Sequence, residues 1–258
     1  MPKLTVGNAT VPYRVVGSGP ALVLVHGVGP GSSMWDLMLD AFTDHRTVLL
    51  PDLSGGDPAE DDGSPLTIET LAGQVNAVIE NFGAGPADVV GFSLGAPTAA
   101  AAAALRPDLV RRLVPVAGLS HAGDEYVQQY MTAWSSLAGS PESFGRFATL
   151  TAFSRAFLNR IGHDAVEQQH AFMGRPDDRL RQIDLVKRLD IRPLLPRIAA
   201  PALVIGATRD QTIPVENHRE LFAGIRGSEY AELDTGHVAM AERPDEFVKL
   251  VRDFLDRP

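Results

Sequence analysis

The chain has 258 residues, 45 % of them apolar and 21 % charged, enough to build one large core without disulfides or metal. A net charge of −9 argues against nucleic acid and anionic membrane as partners. The absence of cysteine excludes disulfides, thiolate zinc sites and a cysteine nucleophile.

The first ten residues, MPKLTVGNAT, carry one Lys and no apolar run. The longest apolar stretch, Ala96–Leu105, is about half a membrane span. A soluble, cytoplasmic protein is expected. Two strand-like runs open the chain, Lys3–Val6 and Val11–Val16. Ala21–Val25 (ALVLV) is apolar throughout, as a strand buried on both faces requires. Thr47–Leu50 is the next strand, followed by an acidic, turn-rich loop over Leu53–Pro65. Thr67 reads as a helix N-cap, and Ile68, Leu71, Ala72, Val75, Ile79 and Phe82 keep helical spacing behind it.

Asp88–Gly91 is a strand, Leu94–Leu105 a helix and Val110–Val116 a strand. Pro201–Ile205 and Ser228–Leu233 complete the strands, and a helix starting at Pro244 ends the chain. Strands alternating with helices predict a mainly parallel sheet covered on both faces. The alternation breaks between Leu119 and Asp190, where only helical patterning is visible. That stretch holds eight of the seventeen aromatic residues: Tyr126, Tyr130, Trp134, Phe144, Phe147, Phe153, Phe157 and Phe172. It reads as a helical cap over residues 119–190, inserted into a core of residues 1–118 and 191–258. More than half of its rings are expected to pack cap helices together, and a few to reach a ligand in an apolar pocket.

The chemistry centres on Gly91-Phe-Ser93-Leu-Gly95, a G-x-S-x-G pattern between a strand and a helix. Such a tight turn strains the backbone at the serine, and glycines on either side avoid clashes. Ser93 is the candidate nucleophile. A serine hydroxyl needs a base, and only His218 and His237 follow the cap. His237 lies in the loop between the last strand and the last helix and is the candidate base. His218 falls in a patterned helix and is expected at the surface. Asp210, in the loop after Leu203–Gly206, is the candidate acid. Its rival Asp234 stands too close in sequence to His237 to reach round the ring.

Two N–H donors are needed where an oxyanion develops. Leu94 N–H, just after the nucleophile, is one. The other is assigned to Val28 in His26-Gly-Val-Gly-Pro-Gly31, with Gly27 or Gly29 as alternatives. His26 is expected to brace this loop. The substrate is expected to touch Gly27, Gly29, Trp134 and Val238. The loop lacks the phosphate-binding patterns G-x-G-x-x-G and GK[ST], and no His/Asp/Glu cluster has metal-ligand spacing, so no cofactor or metal is expected.

These motifs, His26-Gly27, Gly91-x-Ser93-x-Gly95, Asp210 with Pro214, and Gly236-His237, resemble the α/β-hydrolase superfamily over essentially the whole chain. The resemblance implies an eight-stranded, mainly parallel α/β sheet flanked by helices, with a helical cap after the sixth strand. His26–Trp35 is similar to the HGxGPGxxxW segment of the meta-cleavage-product hydrolases, which cut a carbon–carbon bond; where those carry Trp after the catalytic His, this chain has Val238. The implied activity is hydrolysis of an ester, thioester or lactone of a small to medium apolar substrate through an acyl-enzyme. The alternatives are a carbon–carbon bond hydrolase using the same residues, and a weakly catalytic ligand-binding member of the fold. The expected partner is a small-molecule substrate, with a homodimer left open.

Overall fold

In the computed structural model the described residues are 1–29, 31–56, 58–177 and 179–257. Pro30 of the glycine-rich loop and Asp57 of the acidic loop lie outside them. The strands are β1 (Lys3–Val6), β2 (Ala9–Gly17), β3 (Ala21–Val25), β4 (Thr47–Pro51), β5 (Ala87–Phe92), β6 (Val110–Val116), β7 (Leu203–Ala207) and β8 (Glu229–Leu233). They form one sheet in the order β1-β2-β4-β3-β5-β6-β7-β8. β1, β2 and β4 pair antiparallel, and every pairing from β4 through β3 to β8 is parallel.

Successive side chains of a strand point to opposite faces. Val23 and Val25 therefore join one core cluster, while Leu22 and Leu24 join the other. Helices α2 (Ile68–Phe82) and α3 (Gly95–Leu105) cover the first face. α1 (Asp40–Thr43) and α11 (Pro244–Leu255) cover the second, with Phe42, Phe247, Val251 and Phe254 buried there. The Thr67 hydroxyl does accept from Thr70 N–H at the start of α2, and Gly83 ends that helix in the left-handed region.

Between β6 and β7 the chain forms α4 (Glu125–Ser136), α5 (Pro141–Ala152), α6 (Arg155–Ile161), α7 (His163–Met173) and α8 (Leu180–Lys187). Among the described residues an isolated bridge between His121 and Asp190 is the one strand-like pairing at the base of this insert. α9 (Val215–Gly224) follows β7, and the short α10 (Ala239–Glu242) precedes α11. A 3-10 helix over Gly31–Met38, α1 and α10 add to the elements read from sequence; each is too short for a periodic signal. Among the described residues no helix is long and apolar enough to cross a membrane.

The sheet sets the site. Ligands of open α/β sheets bind beyond the carboxyl ends of strands where the strand order reverses. β3 is such a point, since the chain runs from it to β4 on one side and later to β5 on the other. Val25 is in register with Gly91, so the loop after β3 lies beside the turn after β5. Ala207 is in register with Leu233, which sets the loops after β7 and β8 side by side.

Candidate active site

Ser93 sits between β5 and α3 at φ 56°, a left-handed conformation that a side-chain-bearing residue adopts only under strain of about 1–3 kcal/mol. Its N–H donates to Val116 O at the end of β6, which helps to hold it there. The flanking glycines are required by close approach. A Cβ on Gly91 would lie 2.0 Å from Gly95 O, and one on Gly95 would lie 2.4 Å from Val25 O. Gly27 meets the same limit, since its Cβ would lie 2.8 Å from Ser93 Cβ.

Ser93 Oγ stands 2.9 Å from His237 Nε2, and His237 Nδ1 stands 2.6 Å from Asp210 Oδ2. With Nδ1–H donating to the carboxylate, Nε2 is left to accept the serine proton. The Phe92 ring lies against the imidazole at 4.9 Å between centroids. Asp210 Oδ1 accepts from Thr212 N–H at 2.8 Å and Ile213 N–H at 2.9 Å. Burial pushes the Asp210 carboxyl up, but the His237 charge, the His237 donor and the nearby His218 ring outweigh it and leave it below the usual carboxylate range. Asp234, the rival acid, is exposed and bound to Arg209.

The loop after β3 has three N–H groups near the serine. Gly27 N–H donates to Met34 Sδ at 3.4 Å, and Gly29 N–H to Gln182 Oε1 at 3.1 Å. Among the described residues Val28 N–H and Leu94 N–H have no acceptor. His26 bridges two loops, its Nδ1–H donating to Gly27 O at 2.7 Å while Nε2 accepts from Leu53 N–H at 2.9 Å. Burial pushes its pKa down, which suits a neutral brace.

Ser93, Leu94, Val28 and His237 open on a cavity of about 700 Å³ between the sheet and the insert. Five of the eight insert aromatics line it: Tyr130, Trp134, Phe153, Phe157 and Phe172. Six of the eight rings also pack on one another, so Tyr130, Trp134, Phe153 and Phe157 do both jobs, Trp134 facing the cavity while stacking on Phe144 at 5.1 Å. Val238 lines it as expected. Gly27 and Gly29, expected against the substrate, are not among its walls. Gly27 is wedged behind Ser93, and a Cβ on Gly29 would point at the Arg179 guanidinium. Among the described residues no Lys, Arg, Asp or Glu lines the cavity.

His218 is a correction. Sequence reasoning placed it at the surface, but it is 0 % exposed and its Nε2 stands 3.4 Å from Asp210 Oδ2. α9 packs on β7, so the face carrying His218 turns toward Asp210 rather than toward water. Two further polar side chains escaped sequence reasoning. Gln182 on α8 is fully buried; besides accepting from Gly29 it donates to Ser54 O at 3.2 Å. Glu242 on α10 accepts from Ser154 N–H and Oγ–H, both at 2.6 Å, and from Gly236 N–H at 3.1 Å. It therefore ties the residue before His237 to the insert. The signal for His218 was its place in the first turn of a helix after Pro214; for Gln182, 153 residues from Gly29, there was none.

The model of the alpha/beta hydrolase fold family matches residues 20–244. The chain belongs to this family, and it is a hydrolase. It is 37 % identical over 260 residues to pyrrolizixenacetamide deacetylase of Xenorhabdus hominickii, covering 99 % of this chain and 98 % of that one. It is 30 % identical to the 2-hydroxy-6-oxononadienedioate/2-hydroxy-6-oxononatrienedioate hydrolase of Paraburkholderia xenovorans, covering 96 % and 91 %. Among solved structures, the enol-lactonase of Burkholderia xenovorans LB400 matches with a TM-score of 0.89 at 27 % identity, covering 99 % and 100 %.

Proposed function

We propose that the protein is a serine hydrolase of an uncharged, largely apolar ester, lactone or amide, acting through an acyl-enzyme on Ser93. The observation that carries this is the chain Ser93–His237–Asp210, at 2.9 and 2.6 Å, opening on a cavity beside two N–H groups without an acceptor. Ser93 Oγ attacks the carbonyl carbon as His237 Nε2 takes its proton. Val28 and Leu94 N–H donate to the oxyanion. His237 returns the proton to the leaving alcohol or amine, and the acyl group stays on Ser93. Water then gives a proton to His237 and attacks the acyl carbon, which releases the acid and restores Ser93. Asp210 holds the His237 tautomer and offsets the imidazolium charge.

Residues 119–190 serve as the cap of this site and supply half of the apolar residues in its wall, eleven of twenty-two. Trp134 and Val238 contact the substrate body. An amide substrate agrees with the deacetylase relative, and an ester or lactone with the enol-lactonase; all pass through the same tetrahedral intermediate. The meta-cleavage reading has the HGxGPGxxxW likeness and the 30 % relative in its favour. That relative acts on a dioate, however, and a cavity without cationic walls would bury carboxylates with no partner. The neutral substrate is therefore preferred.

The test is labelling with a fluorophosphonate, followed by ester and amide turnover in the unmutated protein and in Ser93→Ala. Covalent labelling at Ser93, and a loss of about 10⁴-fold or more in the variant, are expected. A folded Ser93→Ala protein with undiminished turnover sinks the assignment.

A further inference from the structure

The triad acid has one neighbour that the reaction described above does not use. His218 lies in the first turn of α9, and both its side chain and that of Asp210 are 0 % exposed. Its Nδ1 accepts the Ala207 N–H at 3.2 Å, at the end of β7. A ring nitrogen that accepts an amide proton carries none itself, so the proton of the neutral ring is on Nε2. That Nε2–H stands 3.4 Å from Asp210 Oδ2 without the geometry of a hydrogen bond, and among the described residues it has no other hydrogen-bond partner. Catalytic hydrogen bonds often lengthen in the empty enzyme and tighten when substrate binds.

The other oxygen of Asp210 is already occupied. Oδ1 takes the Thr212 and Ile213 N–H groups, so Oδ2 faces both imidazoles, His237 at 2.6 Å and His218 at 3.4 Å. Any donation from His218 draws on the same lone pairs that serve His237. The remaining titratable groups around α9 are engaged elsewhere. Glu232 on β8 is held by Arg219 and the Tyr230 hydroxyl, and Asp124 at the start of α4 by Asn217.

We propose that His218 is a positioning residue for the triad: its Nε2–H fixes the Asp210 carboxylate and sets how much of its charge reaches His237. The proposal rests on the Ser93–His237–Asp210 reading. The competing explanation is purely structural, with the ring filling space under β7 and satisfying Ala207 N–H.

Two amide variants separate these. His218→Asn keeps an acceptor where Nδ1 stands but stops short of Asp210. His218→Gln carries an N–H out to the place of Nε2. In His218→Asn, kcat is expected to fall about tenfold with KM held, the loss typical of a hydrogen bond to a charged group. Asp210 then keeps its full charge for His237, so the imidazolium is favoured and the acid limb of the kcat/KM profile moves up by about half a pH unit. His218→Gln should restore the limb and bring the rate within about threefold of the unmutated enzyme, even if its Tm is lower.

If both variants keep the original limb and their rates simply follow their melting temperatures, the role is structural and the proposal is overturned. If His218→Asn does not fold, ¹⁵N NMR of the unmutated protein decides. A His218 ring protonated on Nε2, with that proton shifted downfield, supports the proposal; one protonated on Nδ1 overturns it. Failure of fluorophosphonate to label Ser93 at all would instead bring down the underlying triad reading, and the two failures are thus distinguishable.

Discussion

Two helices, one packed behind Ser93 and one in the cavity wall, are built in opposite ways. α3, which follows Ser93, buries ten of its eleven residues, seven of them Ala, so that its backbone lies close to the sheet. α7 buries none of its eleven, yet Gln168, Gln169 and Phe172 from it line the cavity, with Phe172 44 % exposed. Close packing leaves the serine one available position. α7 packs on α5 but buries none of its own side chains, and segments with few buried apolar groups sit at the low end of local stability. The chemistry is thereby fixed while the substrate end can be remodelled without disturbing it. Substitutions on the α3 side should therefore act on folding and on kcat, and substitutions on α7 on substrate preference alone.

The largest effect is expected at the turn before α3. Gly91→Ala places a methyl 2.0 Å from Gly95 O and 2.8 Å from Ala99 Cβ, and neither neighbour can move without shifting the sheet or the helix. A destabilisation above about 4 kcal/mol is expected, seen as loss of soluble protein or a collapsed melting transition. Gly73→Ala, in the open middle of α2 where nothing lies within 4 Å, should instead raise stability by up to about 1 kcal/mol. Equal tolerance at both positions would contradict the turn geometry.

Next in size is the acid. Asp210→Asn keeps a hydrogen bond to His237 but favours the wrong tautomer and removes the charge that offsets the imidazolium. A loss in kcat of about 10⁴-fold is expected. Asp234→Asn breaks only an exposed pair with Arg209, worth under about 1 kcal/mol, and should leave kcat within about twofold. Steady-state kinetics on the two folded variants checks the ranking, and a reversed order assigns the acid to Asp234.

Gln182 tests whether the insert also governs the chemistry. Its amide accepts from Gly29 N–H and donates to Ser54 O, which holds the loop that carries Val28. Gln182→Leu leaves both groups unpaired in a buried place, at about 1–3 kcal/mol each in stability. Donors to an oxyanion act in the transition state, so a shifted Val28 N–H should lower kcat about tenfold and leave KM nearly unchanged. A rise in KM at constant kcat would mean that Gln182 shapes the substrate pocket and not the donor loop.

The same contrast explains what was legible in the sequence. Local sterics write themselves into short motifs. Gly91 and Gly95 are diagnostic because a Cβ at either would clash in that turn, Ser93 because the turn sets its hydroxyl at the strand end, and β3 reads as a buried strand because all five of its residues are apolar. The pairing of Ser93, Asp210 and His237 follows once the strand order is known. Contacts between distant segments leave no such trace. Gln182 and Gly29 are joined by a single hydrogen bond, and Glu242 meets Ser154 across 88 residues. His218 was misplaced because a helix that packs its polar edge on a catalytic loop has the pattern of one that turns that edge to water.

The smallest effects belong to the wall that α7 supplies, and they bear most directly on the substrate. The cavity of about 700 Å³ is lined mainly by apolar side chains, and no charged residue lines it among those described. Each methylene added to a neutral substrate should contribute roughly 0.8 kcal/mol, or about fourfold in kcat/KM, until the cavity is filled. A carboxylate on the same skeleton reverses the trend, because it enters a space with no cation to receive it. It should cost at least about 100-fold. Phe172 stands at the exposed end of this wall. Phe172→Ala should lower kcat/KM for the largest neutral substrates by only about three- to tenfold. It should leave acetyl substrates and the melting temperature almost unchanged, since α7 buries nothing that the variant removes. The measurement is a matrix of kcat/KM over neutral and carboxylated esters and amides of increasing size, in the unmutated enzyme and the variant. Preference for acetyl over every larger group would show that the cavity is not the substrate pocket. Preference for the carboxylated members would return the carbon–carbon hydrolase to first place. A loss in Phe172→Ala that is the same for small and large substrates would mean that this wall is coupled to the triad, and that the division between fixed chemistry and adjustable substrate end is wrong.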